Sequence, residues 1–163
     1  KASEDSVVEV VEFIDLKCNH FKNADFKNNE TPFHCACLAG NFCVIEYLAN
    51  AHKEWIEMKD ENGVLPIHQA VLSSRLEIVK YLIKVLNTDC NAVSNENKTP
   101  LYYAVEYGHA DIVNFLCSLK NIDINIKSKT DTTPLELAIN KKNQDIIDIL
   151  KGKGGKQSIF SNI

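Results

Sequence analysis

The sequence predicts an all-α solenoid, a line of helix pairs stacked one on the next, and three observations in its 163 residues carry that expectation. All four prolines, Pro32, Pro66, Pro100 and Pro134, stand 34 residues apart. Around them the register aligns Thr31-Pro32-Phe33-His34-Cys35-Ala36, Leu65-Pro66-Ile67-His68-Gln69-Ala70, Thr99-Pro100-Leu101-Tyr102-Tyr103-Ala104 and Thr133-Pro134-Leu135-Glu136-Leu137-Ala138, with Ala at the sixth place each time. Further on it aligns Val44-Ile45-Glu46-Tyr47-Leu48 with Ile78 to Leu82, Ile112 to Leu116 and Ile146 to Leu150, and Val10 to Ile14 falls in the same frame. Self-similarity at a fixed period of this size marks a repeat array. The reading is four full repeats of period 34 plus an N-terminal half repeat. The array takes residues 1–151, with a helix at about 4–16 and repeats at about 26–59, 60–93, 94–127 and 128–151, and a tail follows at 152–163.

Each element has a local cause. Ser3-Glu4-Asp5-Ser6 opens the first helix with capping residues and acids that suit the helix dipole. In each repeat, Thr before Pro starts a helix: the hydroxyl caps free amides, and Pro at the first helical position gives up an N–H that has no partner there. These first helices are expected at about 33–39, 67–73, 101–107 and 135–141, ending near Gly40, Ser74, Gly108 and Lys142. The second helix carries apolar residues at i, i+1, i+3 and i+4, as in Ile78, Val79, Tyr81 and Leu82, a face wide enough to pack on both neighbours. Between repeats, Asn29, Gly63, Asn97 and Asp131 fall in register, all residue types that accept a left-handed turn. At the far end Asp145, Asp148 and Lys151 lie opposite Ile146, Ile147, Ile149 and Leu150, which suits a solvated terminal face, and the glycines after Lys151 break the helix. Ile159, Phe160 and Ile163 beyond them are expected to dock on the last repeat.

Helix, tight turn, helix and projecting turn at this period resemble the ankyrin repeat, whose signature is Thr-Pro-Leu-His-x-Ala. Thr31 to Ala36 departs from it only by Phe33, the second repeat starts with Leu65, and the third and fourth put Tyr102 and Glu136 where His is usual. Gly108-His109-Ala110-Asp111-Ile112-Val113 is similar to a second family segment, whereas the family's Gly-Ala-Asp stretch is missing. Asn87 and Asn121 are expected to cap the second helices in place of its Gly.

Composition narrows the function. At 45% hydrophobic and 25% charged the chain is ordinary globular protein. No stretch approaches the roughly 20 apolar residues that cross a bilayer, and Lys1 to Asp5 lacks an apolar signal core, so no direct membrane insertion is expected. A chain beginning without Met is expected to be a piece of a longer protein. Net charge runs from 4 bases against 8 acids in residues 1–50 to 8 against 7 in 101–163, too mild for a nucleic-acid module. Six cysteines in a chain able to bury a real core fit reduced thiols in cytoplasm or nucleus better than a disulfide scaffold.

Cys18, His20, His34, Cys35, Cys37 and Cys43 form the densest reactive cluster, and zinc binding or oxidation sensing is its sharp reading. The register favours packing instead: Cys35 aligns with Gln69, Tyr103 and Leu137, Cys37 with Val71, Val105 and Ile139, Cys90 with Ile56 and Ile124, and Cys117 with Ile83. Cys43 aligns with Glu77, Asp111 and Asp145 and is expected to be an exposed free thiol. His34 and His68 are read by the resemblance as local braces of the turn, not as bases. No catalytic constellation, metal site or cofactor site stands apart from a repeat position, so no enzyme, no metal and no cofactor is expected.

In the family the turn tips and the exposed sides of the first helices form one concave face where partners usually bind. Carried over by register, the tips are Lys27, Asn28 and Glu30, then Glu61, Asn62 and Val64, then Asn95, Glu96 and Lys98, then Lys129, Thr130 and Thr132. The helix ends add Leu38, Ala39, Leu72, Glu106, Tyr107 and Asn140. Leu38, Leu72 and Tyr107 are either energetic anchors or inward-packing residues. Phe21 and Trp55 are read as sealing their loops rather than as a second patch, and Asn23, Asn91 and Asn125 resemble the loop asparagines that hydroxylases modify in this family. The expected function is a non-catalytic protein-interaction module, monomeric in isolation, that binds a protein partner and neither nucleic acid nor membrane. The alternative is a regulatory or tethering segment of a larger membrane protein, enzyme or secreted effector.

Overall fold

The computed structural model describes residues 27–157. The expected helix at 4–16, the half repeat, Cys18, His20, Phe21, Asn23 and the docking of Ile159, Phe160 and Ile163 lie outside the described residues.

Among the described residues eight α-helices follow one another in four pairs: α1 (Pro32–Ala39) and α2 (Phe42–Ala51), α3 (Pro66–Leu72) and α4 (Leu76–Lys84), α5 (Pro100–Tyr107) and α6 (Ala110–Leu116), α7 (Pro134–Asn140) and α8 (Gln144–Gly152). Short 3-10 turns sit at Lys27–Asn29 and Lys53–Trp55, and no strand occurs among the described residues. Each helix packs against its own partner, and α1, α3, α5 and α7 lie against one another in a row. The fold is an all-helical solenoid.

The start of each first helix is made as its residues dictate. Thr31, Thr99 and Thr133 take extended backbone and accept the amides of His34, Tyr102 and Glu136, with Pro next in line. Leu65 offers no side-chain oxygen, and its own amide donates to His68 Nδ1 at 3.0 Å. The turns between paired helices pass through a left-handed residue, Gly40 (φ 71°), Ser74 (φ 56°), Gly108 (φ 78°) and Lys142 (φ 55°). Asn29, Gly63, Asn97 and Asp131, the four turn-formers in register, are left-handed as well. At Gly63 the need is also steric, because a Cβ would stand 2.7 Å from the Asn95 backbone nitrogen.

Neither asparagine is the cap residue: Val85 closes α4, its N–H returning to Tyr81 O at 2.9 Å. Asn87 is left-handed (φ 55°) at the end of α4, where Leu86 N–H reaches back to Tyr81 O at 3.2 Å. Asn121 has no such conformation. There α6 ends at Leu116, and successive turns at Ser118 and Leu119 carry the chain out instead.

The core runs unbroken through the stack. Ile45, Leu48, Leu82, Ile112, Leu116, Ile146 and Leu150 are fully buried along the second helices, with Phe33, Ile67, Leu101 and Leu135 filling it from the first. Each such side chain contributes about 1.5–3 kcal/mol through burial, most of which exists only because a neighbouring pair covers it. At the last pair Asp145, Asp148 and Lys151 are exposed, while Ile146, Ile147 and Leu150 are buried and Ile149 is half-buried. The chain then folds back: Gly155 N–H meets Leu150 O at 2.8 Å, and Lys156 accepts from the Thr133 hydroxyl at 2.9 Å while its amide donates to Asn125 Oδ1 at 2.7 Å.

Candidate interaction surface

The tips form a ladder of backbone bonds. Glu61 N–H donates to Asn28 O at 2.9 Å, Asn95 N–H to Asn62 O at 2.8 Å and Lys129 N–H to Glu96 O at 2.9 Å. Each tip closes on itself through Asp60 N–H to Val64 O, Ser94 N–H to Lys98 O and Ser128 N–H to Thr132 O. Side-chain amides add bonds from Asn95 Nδ2 to Glu61 O at 2.9 Å and from Asn97 Nδ2 to Lys127 O at 2.6 Å. Because the backbone groups bond to one another, the outward side chains are held in fixed rows. Asn28, Glu61, Asn62, Asn95, Glu96, Lys129 and Thr130 are exposed, and Glu30, Val64, Lys98 and Thr132 are half-buried. Lys27 lies in the turn that begins the first of these tips.

At the helix ends Leu38 and Tyr107 are 45% and 57% exposed, far more than their size and apolarity favour. Ala39 and Asn140 are exposed too. Leu72 and Glu106 differ, being only half-buried; α3 has α1 on one side and α5 on the other.

Beside Tyr107 lies an ordered polar notch. Lys98 Nζ donates to both Glu106 carboxylate oxygens at 3.0 and 3.2 Å, and sits 5.5 and 5.8 Å from the ring centres of Tyr102 and Tyr103. Burial alone would lower the Lys98 pKa, but the hydrogen bond and charge of Glu106 outweigh it and hold the ammonium above its ordinary value.

The two signature histidines do more than brace their own turns. His34 Nδ1 accepts from Thr31 N–H at 3.2 Å and lies 2.8 Å from the Thr31 hydroxyl, which leaves Nε2–H to donate to Val64 O at 3.1 Å. His68 repeats this with Leu65 N–H at 3.0 Å and Ala92 O at 3.0 Å. Each ring therefore links its helix to the loop that leads into the following pair. Burial pushes both rings below the ordinary histidine range, His68 to about 4. With both nitrogens engaged, neither ring is built as a base.

The cysteines divide. Cys37, Cys90 and Cys117 are buried as the register implies, and burial pushes their thiols up, that of Cys117 to about 11. Cys43 is exposed. Cys35 corrects the packing expectation: it too is exposed, on a helix position whose equivalents Gln69, Tyr103 and Leu137 are themselves only half-buried. Burial and then the Glu30 carboxylate raise its thiol pKa. Among the described residues no three His, Cys, Asp or Glu side chains gather to hold a metal ion.

Trp55 is buried, stacked on His52 with ring centres 3.8 Å apart, so its role is sealing. Asn91 clamps the next loop, Nδ2 donating to Asn121 O at 2.7 Å and Oδ1 accepting from Asp123 N–H at 2.9 Å. Gly108-His109 keeps its turn, and His109 Nδ1 pairs with the Ser74 hydroxyl of the preceding turn at 3.1 Å. Sequence reasoning missed a second exposed apolar area on the second helices. Phe42 (40% exposed) and Val85 (61%) flank Tyr81 in an open groove of about 480 Å³, and Phe42 meets Tyr81 edge to face at 5.0 Å. The available signal was Phe42 itself, where the last pair has Gln144.

Stacked helix pairs joined by a tip ladder define a helical-repeat array. A family model described as ankyrin repeats (three copies) matches residues 1–94 and 84–160, and the chain belongs to the ankyrin-repeat family. Ankyrin repeats are generally protein–protein interaction modules and typically non-catalytic. None of the curated proteins compared with the chain matches it. No helix among the described residues is long and apolar enough to cross a membrane.

Proposed function

We propose that this chain is a non-catalytic module that binds a protein partner through the concave face made by its tips and first-helix ends, in the cytoplasm or nucleus. The observation that carries the reading is the exposure of Leu38 and Tyr107 beside a row of tips whose backbone groups are already paired. Exposed apolar side chains on a rigid frame lose little entropy on binding and bury most where a partner covers them. A face of this length buries about 800 Å² on the module's side, enough for specific binding. Leu72, half-buried, serves as groove floor more than as anchor.

Affinity capture from the source cell's lysate tests this. The intact chain is compared with a Leu38→Ser, Tyr107→Ala variant whose circular dichroism matches it. A protein retained by the first and lost by the second supports the concave face. Equal retention by both contradicts it and moves the search to Phe42, Tyr81 and Val85.

A further inference from the structure

We propose that His68 is an acid-opened latch: when its ring takes up a proton, the seam between the second and third helix pairs opens before the other seams among the described residues. The latch is built from two bonds of opposite sense. Nδ1 must be bare to accept Leu65 N–H, and Nε2 must carry hydrogen to reach Ala92 O across the seam. A protonated imidazole has two donors and no acceptor, so Nδ1–H would confront Leu65 N–H, donor against donor. Leu65 has no side-chain oxygen to turn toward it.

At His34 the same event is milder. The Thr31 hydroxyl, 2.8 Å from Nδ1, can rotate to accept the new N–H, and the charges of Asp60 and Glu30 favour an imidazolium. Around His68 the charges run the other way or are already engaged. Lys59 opposes a second cation. From α5 come the Tyr103 ring, 5.2 Å away, and Glu106, whose carboxylate is held by Lys98. The third and fourth pairs put Tyr102 and Glu136 at the equivalent place, so no imidazole latch exists there. The ring is fully buried in the closed array, and opening returns it to water, where it protonates near pH 6.5. Acid therefore favours the open form.

Amide hydrogen exchange on the intact chain, corrected for intrinsic rates, tests the latch at pH 7 and pH 5. With the closed ring titrating at about 4, the open population at this seam rises roughly twentyfold between those values. The expected result is that Leu65 and Asn95 amides lose protection by that factor, while Lys129, the counterpart of Asn95 at the next seam, and Thr133, capped within the fourth pair, keep theirs. His68→Gln, which retains a side-chain N–H donor and does not titrate, is expected to remove the pH dependence at Leu65 and Asn95. Equal loss at both seams, or an unchanged acid response in H68Q, would overturn the proposal. If H68Q does not fold, the comparison of the two seams in the unaltered chain still decides.

Discussion

The first two helix pairs and the last two share a backbone plan but close it with different chemistry. In α1 and α3 a buried histidine holds its own turn with one nitrogen and the following loop with the other. In α7 Glu136 accepts the Thr133 amide at 2.8 Å, and the following loop is tied by the Thr133 hydroxyl to Lys156 O at 2.9 Å. In α5 Thr99 accepts the Tyr102 amide at 3.1 Å while Lys98 and Glu106 line the surface above. The fold thus asks for hydrogen-bond partners at this position, not for one residue type. What differs is the response to acid: a buried imidazole that must accept a hydrogen bond loses it on protonation, and α5 and α7 carry Tyr102 and Glu136 instead of an imidazole at this position.

Stability measurements test this contrast. The largest effect is expected where the halves meet, since a stack is only as continuous as its middle. Leu101→Ala, at a fully buried position of α5, should cost about 2–5 kcal/mol in urea unfolding. A cost under about 1 kcal/mol would mean the halves do not share a core.

Next comes acid. The folded His68 pKa, about 4, lies below the unfolded value of 6.5, so the unfolded chain binds more protons between them and stability falls as pH drops through that window. At pH 5 the loss from this ring amounts to about 2 kcal/mol. Denaturant midpoints at pH 7 and pH 5, for the chain and for H68Q, read it directly.

Caps should cost less, and unequally. Thr99→Ala removes one amide acceptor and is expected to cost about 1 kcal/mol. Thr133→Ala removes the same kind of cap plus the bond to Lys156, so its cost should exceed that of T99A. The smallest effect belongs to the Lys98–Glu106 pair, partly open to solvent: Glu106→Gln should change stability by under about 1 kcal/mol, and less still at high salt.

Much of this architecture was legible because period and chemistry agreed. The 34-residue recurrence of Thr-Pro or Leu-Pro put the first helices within about a residue of their observed bounds, and Asn29, Gly63, Asn97 and Asp131 proved left-handed together. Register gives position within a repeat, but not how far the neighbours cover it. Leu38 and Leu72 share a register, yet Leu38 is exposed and Leu72 only half so. Cys35 is exposed and its equivalents Gln69, Tyr103 and Leu137 are half-buried, a degree of cover that alignment alone does not show. Asn87 and Asn121 fail as caps because α4 closes at Val85 and α6 stops at Leu116, a matter of helix length that the aligned asparagines do not reveal. The link from His68 to Ala92 was not legible, since a motif tells which residue sits in the turn but not which carbonyl the next loop brings to it.

Hydrogen exchange on the chain with its captured partner bound shows whether the tips and first-helix ends are the working surface. The expected result is slowed exchange at the tips around Asn28, Asn62, Glu96 and Thr130 and at the ends of α1 and α5, with α2, α4 and α6 unchanged. Protection confined to the second helices around Phe42, Tyr81 and Val85 would contradict it.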